Sequence, residues 1–281
     1  MKRINGMLVY SIIPFFIFVI LFLLIPLCFM LYGSFQEDGG TGFTLKQYEE
    51  IFKNPYYHQA FQNSILISFS SSLIAIIIAV FAAYSITRFS KTIQDRILIF
   101  ANLTSNFAGI PLAFAFIVLL GNSGLFTILF EKLGLSVFQS FNLYSWTGLV
   151  LIYVYFQLPL AVMLLYPVYQ GIQTQWKEAA SLLGASTFQF WLRIGVPIML
   201  PSLAGTFSIL FANAMGAYAS AYALTGSTYN LVTIRIGALT TGDIFAQPEL
   251  GSAIACILGL TLVIAMVINE WLTGKVRRDL S

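Results

Sequence analysis

The sequence predicts an all-α integral membrane protein with six transmembrane helices and both termini in the cytoplasm. Three observations carry that prediction: a shortage of charge, six long apolar runs, and a one-sided distribution of Lys and Arg. Of the 281 residues, 58% are hydrophobic and only 9% are charged, whereas soluble domains carry roughly 25% charged residues. A water-facing surface cannot be made from so few charges, so most of the surface must face lipid. The mean hydropathy of +0.85 agrees.

The apolar runs cover 7–32, 62–87, 97–120, 146–170, 200–225 and 251–273, and none has Asp, Glu, Lys or Arg in its core. Each can cross a hydrocarbon layer of about 30 Å as a helix. The backbone must satisfy its own hydrogen bonds in lipid, so runs this long read as helices. A β-barrel would instead show segments of about 10 residues with alternating polarity. The first run follows Lys2 and Arg3. It is too long for a signal-peptide core and no Ala-x-Ala site follows, so it reads as a retained span. The whole chain, 1–281, then forms one transmembrane domain.

Orientation follows from the cations near the span ends. With the N terminus inside, Lys2, Arg3, Arg88, Lys91, Arg96, Lys177, Arg193, Lys275, Arg277 and Arg278 are cytoplasmic. Only Lys46, Lys53, Lys132 and Arg235 lie outside, beside Glu37, Asp38, Glu49, Glu50, Glu131, Asp243 and Glu249. Ten cations against four favour this orientation, and an even number of spans returns the C terminus to the same side. The net negative outer face is either ordinary solvated loop or a docking face.

Several function classes are disfavoured. Proton- or ion-coupled transporters place ionisable residues inside their spans, and here only Glu270 comes near, at the end of the last run. An intramembrane protease or a lipid-modifying enzyme would need a catalytic constellation, and none is present. Gly237 to Gly242 has the glycine spacing of a phosphate loop, but Asp243 stands where Lys is required. Cys28, Cys256 and the single His58 have no metal-site spacing. No basic run suggests nucleic acid. The chain is therefore expected to be non-catalytic and to hold no cofactor of its own.

The informative segment is the loop 171–199, between the fourth and fifth runs. Glu178, Ala179 and Ala180 are helix formers. Gly184 is a stop that can take positive φ, and Ser186 is a natural cap for a second short helix. Phe188, Trp191 and Leu192 share one face by their i, i+3, i+4 spacing. Pro197 and Pro201 are expected to end that helix and begin the next span. An exposed apolar helix here implies a membrane surface or a partner's groove.

The same loop resembles the E-A-A-x3-G-x9-I-x-L-P signature of binding-protein-dependent ABC importer permeases. Glu178, Ala179, Ala180, Gly184, Ile194 and Pro197 match in type and spacing, while Val196 stands where Leu is usual. The resemblance covers nearly the whole chain and implies a type I importer permease fold in a prokaryotic plasma membrane. It implies that these loop residues couple to a separate ATPase subunit, present in two copies, which binds ATP and Mg. It also implies a second permease subunit, identical or homologous, an extracytoplasmic solute-binding protein, and transport by alternating access.

Tyr32-Gly-Ser-Phe35, Phe43-Thr-Leu-Lys-Gln-Tyr48 and Asn63-Ser-Ile65 resemble permeases of the polyamine type. Ferric iron, thiamine and phosphonate importers share much of this pattern. The expected solute is a small polyamine-like cation. Polar residues within spans are pathway candidates: Asn102 and Asn106 in the third, Asn213, Tyr218 and Ser220 in the fifth. Helix packing is the rival reading, because Ala212, Gly216 and Ser220 recur at four-residue spacing. Between the last two spans, Tyr229, Asn230, Arg235 and Asp243 are candidates for docking the binding protein, against a plain connecting loop.

Overall fold

The computed structural model describes residues 6–39, 42–134, 141–242 and 246–279. Helices supply nearly all the regular structure, as apolar runs in lipid require. The one β-type pairing among the described residues joins Gln36 to Phe43. In chain order the helices are α1 (Gly6–Val19), α2 (Ile25–Gly33), α3 (Lys46–Lys53), α4 (Pro55–Ile86), α5 (Lys91–Ser105), α6 (Ile110–Leu120), α7 (Leu125–Lys132), α8 (Trp146–Gln170), α9 (Thr174–Leu182), α10 (Thr187–Phe190), α11 (Val196–Met215), α12 (Tyr218–Thr225), α13 (Val232–Thr241) and α14 (Pro248–Asp279). Two π-helical turns, Ile20–Leu24 and Trp191–Gly195, join α1 to α2 and α10 to α11.

Among the described residues, six stretches are long and apolar enough to span a membrane: Ile12–Gly33, Pro55–Ile86, Ile110–Lys132, Trp146–Gln170, Thr187–Met215 and Pro248–Trp271. The number agrees with the sequence prediction, but the third and fifth stretches differ from it. The run 97–120 is not one helix. It stops at Ser105 and restarts at Ile110, with Gly109 at φ +78° and Pro111 in the first turn of α6. The fifth stretch begins earlier than expected and ends at Met215, and α12 is a separate short helix. Ala212, Gly216 and Ser220 therefore do not form the continuous packing stripe that their spacing suggested.

Pro197 does not begin a new helix either. α10 runs through the π-helical turn into α11 without interruption, and Pro197 sits in the first turn of α11. Proline lacks an N–H and clashes with the carbonyl four residues back. A turn bonded five residues back removes that clash. The turn Ile20–Leu24 precedes Pro26 in the same way, so the chain uses one device twice.

The chain divides into two compact units, residues 1–60 with 235–261, and residues 61–234 with 262–281. In the first, the segment after α2 is built rather than loose. Phe35 stacks on Phe43 at 5.3 Å between ring centres and meets Tyr48 at 5.3 Å. The Tyr48 hydroxyl donates to Ser34 Oγ at 2.8 Å, and Gln47 Nε2 donates to Asp38 Oδ1 at 2.9 Å. Burial lifts the Tyr48 phenol above its ordinary range. Two of the sequence stretches that resemble polyamine permeases thus pack on each other. On the surface of α3, Lys53 pairs with Glu49, which holds that carboxyl below its usual range.

In the second unit α8 is the central element, packed against α5 and α11. Ala75, Ala79 and Ala83 on α4 have no exposed surface and share one core cluster with Ala161 and Leu165 of α8. Small residues at four-residue spacing let helix backbones approach closely in lipid, where apolar burial alone drives little association. One polar tie reinforces this contact. Gln157, fully buried on α8, accepts from Ser72 Oγ at 2.9 Å and donates to Ser71 Oγ at 3.0 Å.

Candidate coupling loop and solute pathway

The corner of the loop 171–199 is made by two local motifs. At the end of α9, Gly184 N–H donates to Ser181 O at 2.9 Å and Ala185 N–H to Ala180 O at 3.0 Å. These are the two bonds of a Schellman stop, which needs a left-handed residue, and Gly184 supplies φ +83°. The next residues form a capping box. Gln189 N–H donates to Ser186 Oγ at 3.2 Å, and Ser186 N–H donates to Gln189 Oε1 at 2.8 Å. Stop and start lie two residues apart, so α9 and α10 meet at a defined angle.

This corner presents apolar side chains to the outside. Leu182 is 90% exposed, Leu183 88% and Phe188 73%. Glu178 and Ala179 are also exposed, Ala180 is buried, and Ile194 and Pro197 are half-buried. The expected face of Phe188, Trp191 and Leu192 is divided. Trp191 turns inward, with ring contacts to Tyr84 at 5.4 Å, Tyr169 at 5.9 Å and Phe190 at 5.6 Å. Gly195 makes the room, since a Cβ there would lie 2.3 Å from Trp191 Cε3.

Beside the corner, a buried amide ties three helix ends together. Gln94 Nε2 donates to the carbonyls of Phe89 at 2.8 Å and Thr87 at 3.3 Å, capping the end of α4. The Tyr166 hydroxyl donates to Gln94 Oε1 and accepts from Gln170 Nε2 at 2.7 Å. Lys91 Nζ reaches the same hydroxyl at 3.5 Å and Asp95 at 3.5 Å, and these contacts, Tyr166 first, raise its pKa.

Further along the same unit, the breaks in the third and fifth stretches face each other. Gly109 N–H donates to Ser220 Oγ at 2.9 Å, and the Tyr153 hydroxyl donates to Ala217 O at 2.9 Å. Irregular backbone at membrane depth is tolerated where it is buried in protein or lines a cavity. Two cavities adjoin these breaks. One, of about 400 Å³, is bordered by Ser105, Phe156, Asn213 and Tyr218; the other, of about 430 Å³, by Phe114, Tyr218 and Tyr222. The rings of Tyr218 and Tyr222 stack at 5.3 Å, and both are exposed.

Residues 75–278 match the family of binding-protein-dependent transport system inner membrane components. The chain belongs to that family. It is a non-catalytic permease subunit of an ABC importer and a multi-pass protein of the plasma membrane. Among curated relatives, it is 25% identical over 275 residues to the spermidine/putrescine transport system permease protein PotB of Haemophilus influenzae, covering 94% of each chain. It is 24% identical over 265 residues to the sulfate transport system permease protein CysT of Escherichia coli, covering 90% of this chain and 88% of that one. Among solved structures it resembles a bacterial alginate ABC transporter in complex with an alginate pentasaccharide-bound periplasmic protein. That match has a TM-score of 0.75 at 14% identity, over 97% of this chain and 95% of the other, and it is a likeness of fold.

In this permease the predicted pathway residues divide. Asn213, Tyr218 and Ser220 border one cavity. Asn213 and Tyr218 are exposed, while Ser220 is buried with its hydroxyl held by Gly109. Asn102 and Asn106 are exposed and bonded locally, with Asn106 Nδ2 donating to Asn102 O at 2.8 Å, and neither borders that cavity. Their neighbour Ser105 does.

The docking candidates are also divided. Tyr229 is half-buried against a core cluster, and burial raises its phenol pKa. Asn230 is buried, and its carbonyl accepts from Asn63 Nδ2 at 3.0 Å. Val232 N–H donates to Ser64 Oγ at 3.0 Å. Asn63 and Ser64, noted in the sequence only through their resemblance, thus anchor this loop. In the other unit Arg235 lies over the Tyr56 ring at 4.8 Å. Asp243 lies outside the described residues. Sequence reasoning missed Gln157, Gln94 and Gly195. A search for charges passes over amides, and a glycine beside a tryptophan one helical turn earlier was the only available signal for the third.

Proposed function

We propose that this permease forms one half of a solute pathway and is coupled through the corner at Gly184 to a separate ATPase. The observation that carries the reading is the exposed trio Leu182, Leu183 and Phe188 on a corner fixed by a Schellman stop and a capping box. Large apolar side chains on a rigid corner fit a partner's groove. The same end gathers Arg88, Lys91, Lys177 and Arg193, and cation-rich ends are cytoplasmic. On this reading both termini are cytoplasmic, two ATPase copies bind ATP and Mg, and a second permease subunit completes the pathway. An extracytoplasmic binding protein delivers the solute, as the periplasmic protein in the alginate transporter complex suggests.

The solute is proposed to be a small organic cation of the polyamine type. The PotB likeness supports this, and so do the open faces of Tyr218 and Tyr222, since aromatic faces attract cations. The CysT likeness supports sulfate as the second reading. Radiolabelled spermidine and sulfate, offered to vesicles holding the assembled transporter, separate the two.

Gly184→Leu tests the coupling. No atom lies within 4 Å of a Cβ at this position, so the cost is the left-handed backbone alone, about 1–2 kcal/mol. The variant is expected to insert and assemble its spans, but to lose ATPase copurification or uncouple ATP turnover from uptake. Wild-type association together with wild-type coupled uptake would exclude the corner as the coupling element.

A further inference from the structure

A cavity of about 360 Å³ lies behind the corner, lined by the ends of α4 and α8, the first turn of α9, and Phe190 with Trp191. Two of its lining residues are cationic, Arg88 and Lys177, and none is a carboxylate. We propose that this cavity binds the phosphate-bearing headgroup of an anionic phospholipid from the adjoining leaflet.

Four observations point there. First, neither Arg88 nor Lys177 has an acidic partner among the described residues, whereas their neighbour Lys91 is committed to Asp95 at 3.5 Å. Second, Arg88 is held in place, its guanidinium 4.8 Å over the Tyr84 ring and bonded to the Tyr84 hydroxyl. A guanidinium carries five N–H donors, so several remain for a phosphate. Third, Gln173 and Thr174 line the cavity at the start of α9, where the helix dipole is positive. Fourth, the surroundings belong to a membrane interface. Tyr84 and Trp191 form one wall, and Phe81, Phe89 and Leu192 nearby are exposed at 69%, 50% and 59%. Acyl chains can lie along those side chains while the headgroup enters among the donors. A basic pocket between helix ends at an interface fits such a headgroup, whereas a zwitterionic lipid gains less, because its ammonium group is repelled by the same two cations.

The test is native mass spectrometry of the assembled transporter, purified from nanodiscs of phosphatidylcholine containing a minority of phosphatidylglycerol. The wild type is expected to retain phosphatidylglycerol preferentially. Arg88→Gln and Lys177→Gln are each expected to reduce that retention about 5-fold, and the double variant about 30-fold, at roughly one charge–headgroup contact per residue. Arg193→Gln, which removes an exposed cation of the same end that does not line the cavity, should leave retention unchanged. Thermal unfolding of the double variant checks its fold, and the single variants carry the test if it does not fold. Equal retention by wild type and variants would overturn the proposal. So would displacement of the lipid by millimolar inorganic phosphate, which would assign the cavity to a free anion. Loss of ATPase copurification with lipid retention intact would also overturn it, assigning the cavity to the protein partner.

Discussion

The first membrane stretch and α8 are both long and apolar, yet they end in opposite environments. None of the central window of Ile12–Gly33 is buried, against 56% of that of Trp146–Gln170. In water such a difference would follow hydrophobicity. Here it follows polarity in the reverse sense. The first stretch has no amide or hydroxyl side chain before Tyr32, whereas α8 carries Tyr153, Gln157 and Tyr166, all buried. Lipid accepts any apolar face, so helix contacts are chosen by small residues and by polar groups that need partners.

The strongest test of this contrast is to overfill the small-residue contact between α4 and α8. Ala79→Leu, at a position with no exposed surface, is expected to destabilise the permease by about 3 kcal/mol, read by denaturant unfolding in mixed micelles. A neutral result would mean that α4 and α8 are not closely packed there. Gln157→Leu should cost less, about 1–2 kcal/mol, because two interhelical bonds are lost and each is modest in lipid. Ser71 already donates to Ser68 O at 3.2 Å, and Ser72 can likewise turn to its own helix. A smaller step again is Asn213→Leu. Stability should not change, because the amide is exposed, but uptake should fall roughly three- to tenfold if Asn213 bonds the solute. Unchanged uptake would remove Asn213 from the pathway. The smallest effect belongs to the first stretch. Phe22→Ala, at 68% exposure, should shift the stability of the isolated subunit by no more than about 0.5 kcal/mol. A larger loss would show that this helix is packed after all.

Much of this was legible in the sequence. The six crossings followed from hydropathy, and the corner followed from Gly184 and Ser186, whose local chemistry dictates a stop and a cap. What failed had physical causes. The third run looked continuous because an apolar count does not register that Gly109 takes a left-handed backbone held by Ser220 Oγ. Pro197 looked like a boundary because the rule against internal proline assumes a turn bonded four residues back, and the chain widens that turn. Trp191 looked like surface because helical spacing does not show that Gly195 leaves a space for its ring. The fifth run looked continuous for the same reason as the third: neither the break at Gly216 that parts Asn213 from Tyr218 nor the break beside Asn106 shows in a hydropathy count.

The continuous helix from Thr187 to Met215 has a mechanical consequence. Its 29 residues make a rod of about 40 Å, with the Ser186 cap at one end and the Gly216 break at the other. The π-helical turn bonds Val196 N–H to Trp191 O just ahead of Pro197, and the helix continues through Pro201 to Met215. A tilt of about 5° at the corner would sweep the far end of a rod this long through roughly 3–4 Å, about the width of a water molecule. If the corner is where the proposed ATPase acts, the fifth crossing would serve as a crank, delivering a small rotation at the loop end, enlarged, to Asn213 near its far end.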